Sequence, residues 1–137
     1  QNLVRVVLSV EFTREHLMGK EIDVITGGLI QTYIDAKTQH IEASQALYFA
    51  ARDLNLVDLA NAMSRRIFAA VKTVLGSARD ARFDDLDTVA FIVQHALSGT
   101  VRAVFESEDG PTPPAIETLR GQLPLLCRAY LSRAIIP

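Results

Sequence analysis

The stretch Leu86-Asp-Thr-Val-Ala-Phe-Ile-Val-Gln-His-Ala-Leu-Ser-Gly-Thr-Val-Arg-Ala-Val-Phe-Glu106 decides how the chain is read. Asp84 or Asp85 stands before it as an N-cap, so the pattern predicts a helix over 86–107. Val89, Val93, Ala96, Thr100 and Val104 fall along one side at helical spacing. Phe91, His95, Ser98, Arg102 and Phe105 fall along another, with Gly99 between the two. A helix occupied on two faces needs two partners. One partner is the core of its own domain. The second face joins aromatics, an arginine and small residues, the composition of a protein interface. The plainer alternative is that both faces pack inside one subunit.

Downstream, Glu108-Asp-Gly-Pro-Thr-Pro-Pro114 is the strongest loop signal in the chain. Thr112 is placed to cap, and Pro113 falls where a first-turn proline is tolerated. A last helix over about 114–134 follows. It carries Ile116, Leu119, Leu123, Leu126, Cys127, Tyr130 and Leu131. Pro124 lies inside it, removes one helix hydrogen bond and predicts a bend. The two helices can form an antiparallel hairpin, and two hairpins about a two-fold axis would make a four-helix interface.

Upstream, residues 29–54 read as a helix apolar over a wide arc, with Ile30, Tyr33, Ile34, Lys37, Ile41 and Tyr48 on one stripe. Asn55 is a cap for the next helix, whose face carries Leu56, Leu59, Ala60, Met63, Ile67, Ala70, Val74 and Leu75 before Gly76 ends it. Thr26-Gly27-Gly28 predicts a flexible joint, because paired glycines are poor helix formers. Residues 3–18 support two readings. Val4, Val6, Leu8, Val10 and Phe12 alternate as in a strand, while Leu3, Val7, Val10, Arg14 and Leu17 make a helical stripe. The sum is an all-α fold, a bundle of about five helices.

Composition bounds the function. The chain has 137 residues, 49% hydrophobic and 22% charged, with a formal net charge of −2. That is too apolar for disorder and fits one domain with a proper core. The slight negative charge argues against a surface that grips phosphates. No uninterrupted apolar run approaches the roughly 20 residues of a membrane span. One cysteine, Cys127, excludes a disulfide framework. The even composition fits a cytoplasmic protein, and the chain opens on Gln1 without an initiator Met and without a basic-then-apolar leader, which suggests a piece of a longer polypeptide or one trimmed to its ordered part.

Catalytic and metal chemistry is unmotivated. His16, His40 and His95 are far apart, and no H-E-x-x-H or E-x-x-H pattern occurs. The acids Asp80, Asp84, Asp85 and Asp87 lack calcium-loop spacing and suit a helix N-terminus instead. No serine sits in a G-x-S-x-G context, and Cys127 has no visible partner. No metal and no cofactor is therefore expected.

The runs Leu29–His40, Gln45–Ala51, Val89–Phe105 and Leu119–Leu131 together resemble the effector-binding domain of TetR-family transcriptional repressors. The resemblance covers residues 29–134, and 1–28 more loosely. It implies that residues 3–18 are helical. It implies a regulator whose N-terminal helix-turn-helix binds operator DNA, a part with no counterpart here, so that 1–137 would be the effector-binding and dimerisation domain alone. The family's last two helices, mapped onto 86–107 and 114–134, imply a homodimer through an intersubunit four-helix bundle. Interface candidates are Phe91, His95, Ser98, Gly99, Arg102, Phe105, Leu119, Leu123, Leu126, Cys127 and Tyr130. A small-molecule effector, largely apolar, is implied among the middle helices. Pocket candidates are Tyr33, Lys37, His40, Tyr48, Phe49, Met63, Ile67, Phe68, Phe91, Gln94 and His95. The implied mechanism is a population shift that changes the spacing of two DNA-reading heads, with Gly27-Gly28 as the joint. Two rival readings are a helical enzyme using His40 or His95, and an interaction module with no cavity.

Overall fold

The valines of the first segment choose between strand and helix. Val6, Val7 and Val10 are buried, Leu17 nearly so, while Leu8 and Phe12 are 53% and 67% exposed. Alternation would have put Leu8 and Phe12 beside Val6 and Val10; helical spacing leaves them outside. The segment is helix α1, Asn2–Leu17. The computed structural model describes residues 2–39 and 57–137, with side chains for 5–39 and 58–137. Over these residues the order is α1, α2 (Ile22–Thr38), α3 (Val57–Gly76), α4 (Leu86–Glu106) and α5 (Pro113–Ala134), an all-α arrangement. Helix α1 packs on α2 and α3, α3 on α4, and α5 on both α2 and α4. The predicted helix beyond Gln39 and the Asn55 cap lie outside the described residues.

Gly27 and Gly28 are not a joint. They lie inside α2, which starts at Ile22 rather than Leu29. Two glycines cost a helix roughly 1 kcal/mol each, and packing explains why they stand here. A Cβ on Gly28 would sit 2.7 Å from Leu17 Cδ2, and one on Gly27 would sit 3.2 Å from Arg128 Nη2. The end of α1 and a side chain of α5 occupy the missing volume. The turn before α2 uses Gly19 at φ +73°, the left-handed conformation that ends α1.

The start of α2 is capped from far away. Glu21, its N-cap residue, makes no side-chain cap. Instead Asp80, in the α3–α4 loop, accepts from Ile22 N at 2.7 Å. Beside it Ser77 Oγ accepts from Gly19 N, and Arg79 N donates to Lys20 O. Local caps serve the later helices. Asp85 Oδ1 accepts from Thr88 N at 3.2 Å, and Thr112 Oγ1 accepts from Ala115 N at 3.3 Å with Pro113 in the first turn. The end of the chain returns to the same loop, with Ile136 N donating to Arg82 O.

The core runs through every described helix, with Ile25, Ile30 and Ile34 of α2, Val74 and Leu75 of α3, Val101 and Phe105 of α4, and Leu123 and Leu131 of α5. By length and mean composition α4 does meet the requirement for a membrane-crossing helix, although no uninterrupted apolar run in it reaches that length. Its residues Val89, Ala90, Val93, Leu97, Val101 and Phe105 are buried inside the chain's own core. Two predictions follow from this packing. Phe105→Ala lowers the unfolding free energy in urea by about 3–5 kcal/mol. Asp80→Ala, at a cap 58 residues away in sequence, lowers it by about 0.5–2 kcal/mol; no change would mean that water caps α2 equally well.

Candidate functional site

Three helices leave a half-open cavity of about 340 Å³ between them, with polar groups set in a mostly apolar lining. Helix α2 supplies Tyr33 and Lys37, one turn apart. Helix α3 supplies Ala60, Asn61, Ser64 and Ile67. Helix α4 supplies Gln94, His95, Ser98, Gly99 and Arg102. The size falls in the range of small-molecule sites, roughly 300–1,000 Å³. Beneath it Tyr33, Ile67 and Gln94 also border an almost filled apolar hollow that reaches Val10, Leu29 and Leu97. Beside it Ser64, Arg65, Phe68, Phe91, Gln94 and His95 form a shallow groove, where the Phe91 and His95 rings lie 4.3 Å apart.

Lys37 is the unusual group. It is 1% exposed, and its Nζ lies 5.7 Å from the Tyr33 ring centroid. Burial, and after it the charge of Arg102, lower its pKa from 10.5 to about 8. Charging it in the folded chain therefore costs about 3 kcal/mol relative to water. At neutral pH it is still mostly protonated, so the cavity wall holds a desolvated cation. Gln94, 4% exposed, donates from Nε2 to Ser64 O at 3.0 Å and lies 3.2 Å from Ser64 Oγ. Its Oε1 is buried with no hydrogen-bond partner among the described residues. An acceptor left so costs about 1–3 kcal/mol. Both groups are expensive to keep in a wall that serves packing alone.

The second surface is apolar. Leu125 and Leu126 of α5 are 62% and 53% exposed, and Ile92 of α4 is 41% exposed. A groove between α4 and α5 runs over Thr100, Thr118, Gln122, Leu125, Leu126 and Ala129. Among the described residues a Cβ on Gly99 or Gly121 would meet nothing within 4 Å, so packing against those residues does not account for either glycine.

The candidates from the sequence distribute as follows. Tyr33, Lys37, Ile67, Gln94 and His95 line the cavity. Phe68 and Phe91 line the adjoining groove. Met63 packs half-buried against the core, and His40, Tyr48 and Phe49 lie outside the described residues. Among the interface candidates, Phe105, Leu119, Leu123 and Cys127 sit in the chain's own core at 4% exposure or less. For Phe105 this is a correction: the buried stripe of α4 runs Val89, Val93, Leu97, Val101, Phe105, so Phe105 points inward, while Leu119 and Leu123 form the floor of the α4–α5 groove. Burial also pushes the Cys127 thiol up in pKa, which makes it an inert packing group. His95, Ser98, Gly99 and Arg102 border the cavity rather than the α4–α5 groove. Leu126 is exposed on the groove, and Tyr130 is half-buried against the core. Ala60, Asn61 and Ser64 were missed. Ala60 and Ser64 share the face of Ile67 at helical spacing, with Asn61 beside them, but an alanine on that stripe reads as core and small polar residues on a helix read as solvent-facing.

A family model described as tetracyclin repressor-like, C-terminal domain, matches residues 22–131. The chain belongs to that family. The match spans α2 to α5, the helices that build both the cavity and the α4–α5 face. Comparison with curated proteins and with solved structures gave no match. Tetracyclin repressor-like C-terminal domains are regulatory rather than enzymatic, and transcription regulation follows from the family. Among the described residues no cluster of His, Cys, Asp or Glu is arranged to hold a metal ion.

Lys37 makes a pH signature. Its folded pKa lies below its unfolded value, so the unfolded chain binds the extra proton between about pH 8 and 10.5. The cost of the buried charge is fully present below pH 8 and is relieved as pH rises to 10.5. Lys37→Met should therefore raise stability at pH 7 by about 1–3 kcal/mol. The gap to the unsubstituted chain should shrink in alkaline urea titrations; a gap that widens with pH would contradict the burial of a charged lysine.

Proposed function

We propose that the chain is the effector-binding and dimerisation region of a TetR-type regulator acting in the cytoplasm. A small molecule occupies the cavity between α2, α3 and α4, and two copies meet through the exposed face of α4 and α5. Operator DNA is contacted by a separate DNA-reading segment of the full-length regulator, as in the repressors the sequence resembles.

The observation that carries this reading is the position of α4. One flank, with Gln94, His95 and Arg102, borders the cavity. The other, with Thr100, borders the exposed apolar face shared with Leu125 and Leu126, and Ile92 is exposed further along the helix. An exposed apolar patch of this kind marks an interaction surface. A ligand that binds one setting of α4 better than another shifts the population of dimer arrangements by that difference in affinity. The cavity beside Tyr33 supports this reading over an interaction module with a solid core.

The double substitution Leu125→Asp with Leu126→Asp places two charges on the proposed contact. By sedimentation it should convert a dimer to a monomer, with helix content by circular dichroism unchanged because both side chains are exposed. An unsubstituted chain that sediments as a monomer at high concentration, or a dimer that survives the double substitution, would overturn the α4–α5 contact.

A further inference from the structure

The carboxamide of Gln94 stands where three spaces meet: the cavity, the apolar hollow beneath it and the shallow groove beside it. Its two ends differ. Nε2 donates to Ser64 O at 3.0 Å and lies 3.2 Å from Ser64 Oγ. A backbone carbonyl only accepts, so it fixes which end of the amide faces α3. A flipped amide would set two acceptors 3.0 Å apart. Oε1 is the other end, buried and without a hydrogen-bond partner among the described residues. The hollow offers it none, because its free space of about 10 Å³ barely admits one water and its lining is apolar. We infer that Gln94 sets the specificity of the effector site, and that the effector is a largely apolar molecule carrying an N–H or O–H donor that Gln94 Oε1 accepts. The inference rests on the effector-cavity reading above.

The rest of the wall makes no such demand. The hydroxyls of Tyr33, Ser64 and Ser98 turn to donate or accept, Asn61 and His95 can do either, and Lys37 and Arg102 donate. Among the described lining residues Gln94 is therefore the side chain whose remaining capacity is acceptance alone. A ligand that brings a donor removes a cost the empty chain already carries, and a ligand without one leaves that cost in place. Sites built this way reject the analogue that lacks the hydrogen-bonding group. The terminal torsion of a glutamine is broad, so a small turn presents Oε1 to the cavity while Nε2 stays with Ser64. Ile67 and Ala60 then meet the body of the ligand with apolar surface.

The test compares two probes of the same fused-ring shape, indole, whose N–H donates, and benzofuran, whose ring oxygen cannot. In equilibrium dialysis against the unsubstituted chain, indole should bind about tenfold tighter than benzofuran. Gln94→Met keeps the length of the side chain and removes the acceptor; it should abolish the preference and leave the affinity for benzofuran unchanged. Gln94→Glu should retain the preference. Burial favours the neutral carboxyl, whose O–H can donate to Ser64 O while its carbonyl accepts from the ligand. The comparison in the unsubstituted chain needs no variant, so it decides even if Gln94→Met fails to fold. Equal affinity for the two probes, or a preference for benzofuran, would overturn the donor assignment while the cavity stands as an apolar site. An indole preference that survives Gln94→Met, or that Gln94→Glu loses as fully as Gln94→Met does, would place its origin elsewhere than the acceptor and also overturn it. Binding of neither probe would overturn the donor assignment together with the effector-cavity reading.

Discussion

The buried stripe of α4, from Val89 through Val93, Leu97 and Val101 to Phe105, is the constraint on which the remaining structure depends. It fixes the rotation of the helix about its own axis. Once those five positions face the core, Gln94, His95, Ser98 and Arg102 are turned toward α3 and the cavity. The same rotation leaves Thr100 toward the groove shared with α5 and Ile92 exposed on the outside of the helix. A rotation by one residue, about 100°, would bury Arg102 or Ile92 instead and erase both surfaces. The apolar effect therefore does more than hold the domain together: it sets the angular position of every polar group that has chemistry to offer.

That dependence also explains how much of the fold was legible in the sequence. Caps that act within a turn were readable, because a side chain and its backbone partner lie three residues apart; Asp85 and Thr112 are where the spacing put them. The cap of α2 was not readable, since Asp80 comes from another loop and only the fold brings it to Ile22. Gly27 and Gly28 were misread for a related reason. Propensity reports the cost of a glycine in a helix, but not the neighbour, here Leu17 or Arg128, that requires its missing side chain. Residues 3–18 were balanced between two periods until burial of Val6, Val7 and Val10 with exposure of Leu8 and Phe12 removed the strand.

The site was legible in part. Helical spacing grouped Phe91, His95, Ser98 and Arg102 correctly as one face of α4, yet it carried no information about what that face meets. Phe105, grouped with them, belongs to the core stripe, and His95, Ser98 and Arg102 border the cavity. Lys37 was chosen from its position on an apolar stripe, and its interest turned out to be energetic: a cation with 1% exposure on a wall shared with a second cation. Leu125 had no place in the last helix's apolar pattern because it faces outward, which is the property that now matters.

The hydrogen bonds that join Gly19, Lys20 and Ile22 to Ser77, Arg79 and Asp80, with Ile136 tied to Arg82, all gather at one end of the bundle. That end behaves as a clamp, and the helices leave it as cantilevers. Lys37 stands fifteen residues along α2 from Ile22, an arm of about 22 Å at 1.5 Å per residue. Over such an arm a sideways displacement of about 1 Å is a tilt of about 3°, small enough for packed side chains to follow without changing rotamer. The stitched loops thus fix where α2 begins, and the Lys37 side of the cavity lies a helix length away from that anchor.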